Sequence, residues 1–107
     1  MTKKLNFEEI KYYDAHSHLH SDFFNKKLNG QEVARKMLKK DIFSTLVGVS
    51  LSDSKKAIEM AERNDNLYVS IGIHPTEKEE FLEDDFQSLL ETSEKIICIG
   101  ECGLDYY

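Results

Sequence analysis

The sequence alternates four short apolar runs with three polar stretches, and this alternation restricts the fold more than any other feature. The apolar runs are rich in β-branched and aromatic residues and cover residues 10–16, 42–51, 66–74 and 95–101. Between them, apolar residues recur with the spacing of one helix face. Strands that alternate with single helices form parallel βαβ units. The sequence therefore predicts an α/β fold in the order strand, helix, strand, helix, strand, helix, strand.

Each predicted helix has a start signal or a defined apolar face. Asn29 is the expected N-cap of the first helix, with Glu32 three residues later as in a capping box. The second helix is expected to begin at Ser52 or Asp53, and the third lies within residues 81–95. The apolar faces are formed by Val33, Ala34, Met37, Leu38, Ala57, Ile58, Ala61, Leu82, Phe86, Leu89 and Leu90.

Two of the strand runs are almost continuously apolar, around Val47 and over residues 97–99. Such runs are typical of parallel sheets that are covered on both faces. A doubly wound open sheet and a (β/α)₈ barrel both begin in this way. The strand pattern alone therefore leaves both architectures open.

The composition limits the class of function. A formal charge of −6 argues against a protein that grips nucleic acid through an extensive basic surface, but not against an enzyme that reaches phosphates through bound cations. Cys98 and Cys102 are expected to be reduced packing residues rather than ligands. No apolar run approaches the length of a membrane helix, and we expect no secretory signal because the N-terminal lysines are not followed by an apolar stretch. We therefore expect a cytoplasmic protein without a membrane partner, or a nuclear one in a eukaryotic cell.

Each of the four strand runs ends in polar or ionisable residues or is directly followed by them. Ligands of parallel α/β folds collect at the carboxyl ends of the strands, so these positions are the candidate site. They comprise His16 and His18, then Ser50, Ser52 and Asp53, then His74, and finally Glu101 with Asp105 just beyond.

The His-x-His pair at the first strand predicts a metal site. Side chains alternate along a strand, so His16 and His18 are expected on one face, where two imidazoles can chelate one divalent ion. Asp14 has the same parity and is expected to accept an imidazole N–H and fix the ligand tautomer. His20 is expected beyond the strand, as a loop residue outside the site. Surface histidines without a metal are the alternative.

The other two candidates come from later strands. Glu101 ends an apolar strand, where a carboxylate is costly to bury unless it is paired or bound to metal. A structural ion pair is its alternative. His74 precedes Pro75, which holds it extended and presents its ring in a fixed direction, either to substrate or as a satisfied loop histidine. The acidic stretch 77–85 is interpreted as a solvated helix start without function.

Three motifs together resemble one family. "YYDAHSHL", "VSIGIHP" and "IGECGLDYY" occur in the order and spacing of the TatD-related deoxyribonucleases, which are metal-dependent hydrolases built on a TIM barrel. The motifs extend from residue 12 to residue 107, so the resemblance covers essentially the whole chain. One departure is His20, which stands where the family often has an acidic residue.

The resemblance implies a site and a reaction. His16, His18 and Glu101 would be metal ligands, with Glu101 bridging two ions, and His74 and Asp105 would contact phosphate or support the site. Mg²⁺ is the expected metal, with Zn²⁺ and Mn²⁺ as alternatives. The two ions would activate water and stabilise the leaving oxygen during removal of nucleotides from DNA, often from the 3′ end.

The length of the chain is the larger departure from the family. A TIM barrel takes about 250 residues, so residues 1–107 are predicted to form one incomplete domain, the first half of the barrel. The family's remaining ligands, two histidines and an aspartate on later strands, have no counterpart here. Open edges on the first and last strands are expected to favour self-association or pairing with a complementing C-terminal half. We expect weak or no activity from this chain alone.

Two other functions remain open from the sequence. The chain could belong to another amidohydrolase-like metalloenzyme that acts on a cyclic amide or a phosphate ester. It could also be a non-catalytic remnant or an interaction module. An activity assay distinguishes these alternatives.

Overall fold

Strands and helices alternate as predicted, with one additional short helix. The computed structural model describes residues 8, 10–76 and 83–102. Its elements are β1 (Tyr12–Ser17), α1 (Asp22–Asn25), α2 (Gly30–Lys39), β2 (Ile42–Val47), α3 (Leu51–Glu62), β3 (Leu67–Ile71), α4 (Glu83–Leu90) and β4 (Ile96–Ile99). The predicted α/β class is therefore confirmed.

The strands form one parallel sheet in the order β1-β2-β3-β4. Tyr12 lies opposite Ile42, and Val69 lies opposite Ile96. Because all four strands run the same way, their carboxyl ends meet at one edge of the sheet. The polar residues that follow the strands are brought to that edge.

Burial differs between the central and the outer strands. Every residue of β3 is buried, whereas Ile97 and Ile99 of β4 are 50% and 66% exposed. The prediction that the 97–99 run is covered on both faces is wrong, because β4 pairs only with β3 among the described strands. Cys98 is exposed for the same reason, and Cys102 is also exposed, so neither is the packing residue that we predicted.

The helix caps set where the chain turns back from the sheet. The Asn29 side chain accepts a hydrogen bond from the Glu32 N–H at 3.1 Å, as the sequence predicts. α3 begins earlier than predicted, because its N-cap is Ser50, whose hydroxyl accepts from the Asp53 N–H at 3.0 Å. The β2 strand correspondingly ends at Val47 and not at residue 51.

The core lies between the sheet and the inner faces of its helices. Ala57, Ile58 and Ala61 of α3 are buried as predicted, and Ala34 of α2 is fully buried. Leu38, predicted on the same face, is 39% exposed. Predicted core residue Leu82 lies outside the described residues.

One buried polar side chain ties a helix to the sheet. The Asn66 amide donates to the carbonyl of Ala34 at 3.1 Å and to that of Ile42 at 3.0 Å. Asn66 is fully buried, so these bonds replace the water that its NH₂ group loses on folding, whereas its Oδ1 has no hydrogen-bond partner among the described residues. They fix the distance between α2 and the start of β2.

α1 was not predicted, because four residues are too few to show helical periodicity. The Ser21 hydroxyl caps this helix by accepting from the Phe24 N–H at 3.1 Å, and Phe24 packs against the core. No helix in the described ranges is long and apolar enough to cross a membrane.

Candidate metal centre

The first strand brings two imidazoles to the carboxyl edge of the sheet, but not by simple alternation. Asp14 pairs with Ser44 and Ser17 pairs with Leu46, so β1 contains one residue more than β2 over this stretch. Such a bulge shifts side-chain direction. His18 lies just after the strand. The two rings nevertheless meet, with 3.2 Å between the Nε2 atoms of His16 and His18.

Asp14 contributes to this turn through the backbone. Its Oδ1 accepts the backbone N–H of His16 at 3.1 Å. The sequence predicted that Asp14 would accept an imidazole N–H, which is not the contact observed. Asp14 therefore stabilises the backbone of the bulge at His16.

The ring of His18 is oriented by the neighbouring strand. Its Nδ1 lies 2.9 Å from the carbonyl oxygen of Val47, the last residue of β2. A carbonyl can only accept, so Nδ1 carries the proton and Nε2 of the neutral ring presents its lone pair towards His16. A carbonyl partner on the far nitrogen is the usual arrangement of a metal-binding histidine.

Glu101 is placed by its contacts with β3. The Ser70 hydroxyl donates to the Gly100 carbonyl at 2.7 Å, and the Gly100 N–H donates to the Ile71 carbonyl at 2.9 Å. A Cβ atom at Gly72 would lie 2.5 Å from the Glu101 carbonyl oxygen, so only glycine allows this close approach. Neither Gly72 nor Ser70 was predicted from the sequence to have a role.

The three side chains form one donor set. His16, His18 and Glu101 each offer one ligand atom, and these atoms lie within 4.8 Å of one another. Ligands bound at about 2.0–2.1 Å in tetrahedral to octahedral geometry are about 2.8–3.4 Å apart. The 3.2 Å between the imidazoles satisfies this range, and the 3.9 Å from His16 Nε2 to Glu101 Oε1 needs about half an ångström of side-chain movement. The residues therefore fit a divalent cation.

His74 lies at the same edge, after β3, but is not part of that donor set. Its backbone N–H donates to the Val49 carbonyl at 2.7 Å. Its Nδ1 accepts from the Thr76 N–H at 3.2 Å and lies 2.7 Å from the Thr76 hydroxyl. A neutral ring that accepts at Nδ1 carries its proton on Nε2, which can donate to an anionic oxygen.

His20 differs most from its expected position. It lies in a turn beyond β1, as predicted, but its side chain is only 1% exposed and its Nε2 is 2.9 Å from Asp53 Oδ2. Burial raises the pKa of the Asp53 carboxyl. The hydrogen bond and charge of His20, together with the Val49 N–H, lower this pKa by more than burial raises it, so the pKa lies below its usual value. The hydrogen-bonded pair of His20 and Asp53 lies at the same carboxyl edge of the sheet as the donor set.

Asp105 lies outside the described residues. Of the remaining predicted site residues, His16, His18 and Glu101 are brought together. Asp14 and His74 are not in this donor set, and they bond instead to the backbone N–H groups of His16 and Thr76. A glycine within the apolar run 66–74 was the one sequence signal that could have identified Gly72 as a point of close backbone approach.

Comparisons with known proteins agree with this geometry. The family model described as TatD related DNase matches residues 13–107. The chain is 31% identical over 100 residues to an "uncharacterized metal-dependent hydrolase", MJ1582, of Methanocaldococcus jannaschii, across 91% of this chain and 39% of that protein. It is 33% identical over 97 residues to YabD of Bacillus subtilis, which has the same description, across 89% of this chain and 38% of that protein.

A third relative has a more specific name. The "3'-5' ssDNA/RNA exonuclease TatD" of Enterobacter lignolyticus is 32% identical over 63 residues, across 57% of this chain and 24% of that protein. The chain spans about two fifths of the length of the first two relatives. Its four parallel strands correspond to the first half of a TIM-barrel-like fold. The chain belongs to the TatD-related DNase family.

Proposed function

We propose that this chain is part of a divalent-metal-dependent hydrolase that cleaves phosphodiester bonds in DNA, removing nucleotides from the 3′ end. The observation that carries the proposal is the convergence of two imidazole nitrogens and one carboxylate at the carboxyl edge of a parallel sheet. Relatives named as a 3'-5' ssDNA/RNA exonuclease and as putative deoxyribonucleases support the choice of substrate.

Three residues hold the metal in this proposal. His16 and His18 would hold a divalent cation through Nε2, and Glu101 would contribute its carboxylate to the two ions of the proposed site. When bound, the ions supply positive charge to the phosphate and an activated water. The Val47 carbonyl keeps the lone pair of His18 directed at the cation, and Gly72 keeps Glu101 within reach. The chain's own charge of −6 is then no obstacle to binding DNA.

Other residues would contact the substrate or support the ligands. His74 donates from Nε2 to a phosphate oxygen, since Thr76 holds its Nδ1 as an acceptor. Asp14 keeps the bulge of β1 in shape through the His16 N–H. Asp105 is proposed as a further supporting carboxylate on the resemblance alone.

We propose Mg²⁺ as the native metal, with Mn²⁺ and Zn²⁺ as the alternatives to test. A carboxylate suits Mg²⁺ and Mn²⁺, whereas two imidazoles suit Zn²⁺. The two exposed thiols, Cys98 and Cys102, favour a reducing compartment, so we propose the cytoplasm, or the nucleus in a eukaryotic cell.

Residues 1–107 are proposed to form one incomplete barrel domain that needs further strands. The outer edges of β1 and β4 lack a strand partner within the described residues, and Tyr12, Ile97 and Ile99 are exposed on these strands. A C-terminal half, or a second copy of the chain, would pair with these edges. Because three protein donors leave a metal shell unfilled, the chain alone would bind metal weakly and cleave DNA slowly.

The test uses a 3′-labelled single-stranded DNA and the purified chain. Metal binding is measured first by calorimetry with Zn²⁺ and Mn²⁺, for the wild type and for His18→Ala, with Tyr12→Phe as a surface control. We expect weak binding that His18→Ala abolishes and Tyr12→Phe preserves. No binding by the folded wild type would overturn the site.

Cleavage is then measured with Mg²⁺, Mn²⁺ or Zn²⁺ and with EDTA. We expect slow, metal-dependent shortening from the labelled end. Hydrolysis of a cyclic amide without any DNA shortening would overturn the choice of substrate while leaving the metal site intact. Rapid shortening would support the proposed reaction and contradict the proposal that the chain alone cleaves DNA slowly.

A further inference from the structure

A chain of hydrogen bonds connects the loops that follow β1, β2 and β3. His20 Nε2 lies 2.9 Å from Asp53 Oδ2, and the same oxygen accepts the Val49 N–H at 3.0 Å. The Val49 carbonyl in turn accepts the His74 N–H at 2.7 Å. The loops of His18 and Val49 are thus hydrogen-bonded to the Asp53 carboxylate directly, and the loop of His74 is connected to it through Val49.

The central contact joins a buried imidazole to a half-buried carboxylate. The His20 side chain is 1% exposed and that of Asp53 is 18% exposed. Hydrogen bonds to an ionised carboxylate are stronger than neutral ones, and a buried carboxylate that loses its donor pays a desolvation cost. Asp53 also stands in the first turn of α3, where the helix dipole favours a negative charge. The position of this carboxylate is therefore well determined.

His20 and His18 attach the same short loop to the β2 side of the sheet at two points. His18 Nδ1 donates to the Val47 carbonyl. Two residues after His18, His20 forms the second contact, from its Nε2 to Asp53. The intervening Leu19 is 5% exposed and belongs to the core. With two anchors and a buried residue between them, the loop has little freedom to rotate the His18 ring.

We propose that His20 and Asp53 are positioning residues of the metal centre, which hold the loops of His18 and His74 in the arrangement that binds metal and phosphate. This inference rests on the proposed function, because it presumes that His18 is a ligand. It assigns a role to a residue that the sequence placed outside the site.

The alternative is a core pair that contributes stability alone. The two roles differ in what a substitution changes. A stabilising pair lowers the free energy of unfolding when it is broken, and metal affinity of the folded protein is unaffected. A positioning pair lowers metal affinity in the folded state as well, by about 10–100-fold when a supporting contact of a ligand is lost.

The experiment compares His20→Leu and His20→Gln in the full chain by calorimetric titration with Zn²⁺. Leucine fills the space without a donor, whereas the glutamine amide can place an N–H near the position of Nε2. We expect about tenfold or greater loss of Zn²⁺ affinity for His20→Leu and recovery to within about threefold of wild type for His20→Gln. Urea unfolding of each variant confirms that the protein titrated is folded.

Tyr13→Phe is the matched control. It removes a 2.6 Å hydrogen bond between the Tyr13 and Thr45 hydroxyls, also between β1 and β2 but near the start of β1. We expect a loss of stability without a loss of affinity. Equal Zn²⁺ affinity for folded His20→Leu and wild type would overturn the inference, as would an equal loss in Tyr13→Phe. Wild type that binds no Zn²⁺ would overturn the proposed site as well.

A measurement on the wild type covers the case in which His20→Leu does not fold. The backbone amide resonances of Val49 and His74 are followed by NMR as Zn²⁺ is added. Neither residue is in the donor set, but both are joined to Asp53 through the hydrogen bonds above. Shifts that saturate with the His18 signals would support the coupling. Unchanged amides at full saturation would overturn it.

Discussion

Replacement of Gly72 by alanine tests whether close backbone approach places the Glu101 ligand. The new Cβ would lie 2.5 Å from the Glu101 carbonyl oxygen and 2.7 Å from the Gly100 carbonyl carbon. Ordinary contact begins at 3.4 Å, so the backbone at Glu101 must retreat by about 0.9 Å. Both contacts are with backbone atoms, which cannot rotate away as a side chain would. We expect this overpacking to cost about 1–3 kcal/mol of folding free energy.

The effect on metal binding follows from the same displacement. Glu101 Oε1 already lies 3.9 Å from His16 Nε2, about half an ångström beyond the spacing of two ligands of one cation. A further retreat of the backbone removes the carboxylate from the donor set and leaves two imidazoles. We expect Zn²⁺ affinity to fall by about 10–100-fold. Calorimetric titration of the folded variant measures this change.

The control for Gly72→Ala is Val69→Ala, which destabilises the same strand without displacing Glu101. Val69 is fully buried in β3, so the loss of two methyl groups costs about 2 kcal/mol. Its Zn²⁺ affinity should equal that of the wild type. If Gly72→Ala folds and binds Zn²⁺ as tightly as the wild type does, the placement of Glu101 by close approach is refuted.

Two further predictions concern pH. The pKa of Asp53 is lowered in the folded state, so its contribution to stability is present above about pH 4 and is lost as the pH falls through the lowered value. The difference in free energy of unfolding between wild type and Asp53→Asn, measured in urea at several pH values, should be constant near neutrality and shrink below about pH 4; a constant difference down to about pH 2 would contradict this reasoning. Burial lowers the pKa of Lys95, so the unfolded chain binds that proton more strongly and the wild type should gain stability relative to Lys95→Met as the pH rises towards about 10. Near pH 7, the free energy of unfolding of Lys95→Met should be about 1–3 kcal/mol below that of the wild type. The reason is that the carbonyls of Asn64 and Leu67 lose the Lys95 ammonium as a donor, at 3.0 and 3.1 Å. Urea titrations that show no loss of stability would refute this.

That His16, His18 and Glu101 come to the same edge of the sheet could be predicted, because it follows from the order and direction of the strands. Parallel strands bring their carboxyl ends to one edge, so residues that follow different strands meet there whatever their distance in sequence. The order of the strand runs was sufficient to indicate this arrangement. The bulge in β1 was not predictable, because it is defined by the register against β2.

His20 shows what local reasoning could not resolve. Its place beyond the strand was predicted correctly, and a histidine in such a turn is usually exposed. Its burial depends on Asp53, which is 33 residues away and stands on α3. α3 itself begins earlier than predicted, because Ser50 caps it. The helix start was predicted one or two residues late, and nothing in the local sequence paired His20 with Asp53.

The exposure of β4 had a similar cause. An apolar run indicates that a strand can be buried, and the elements that cover it are set by the rest of the fold. Ile97 and Ile99 are exposed because β4 is the outer strand of the described sheet.

The sequence by itself determined the α/β order, the faces of the helices and the residue types gathered at the carboxyl edge, since these follow from periodicity and strand direction. The tertiary structure decided which atoms meet there: the 3.2 Å between two imidazole nitrogens, the approach of Glu101 over Gly72 and the burial of His20 against Asp53. The physical reason is that each of these contacts depends on register, bulges and helix starts, which shift by single residues. A shift of one residue moves a side chain by several ångströms, which is more than a metal site or a hydrogen bond tolerates.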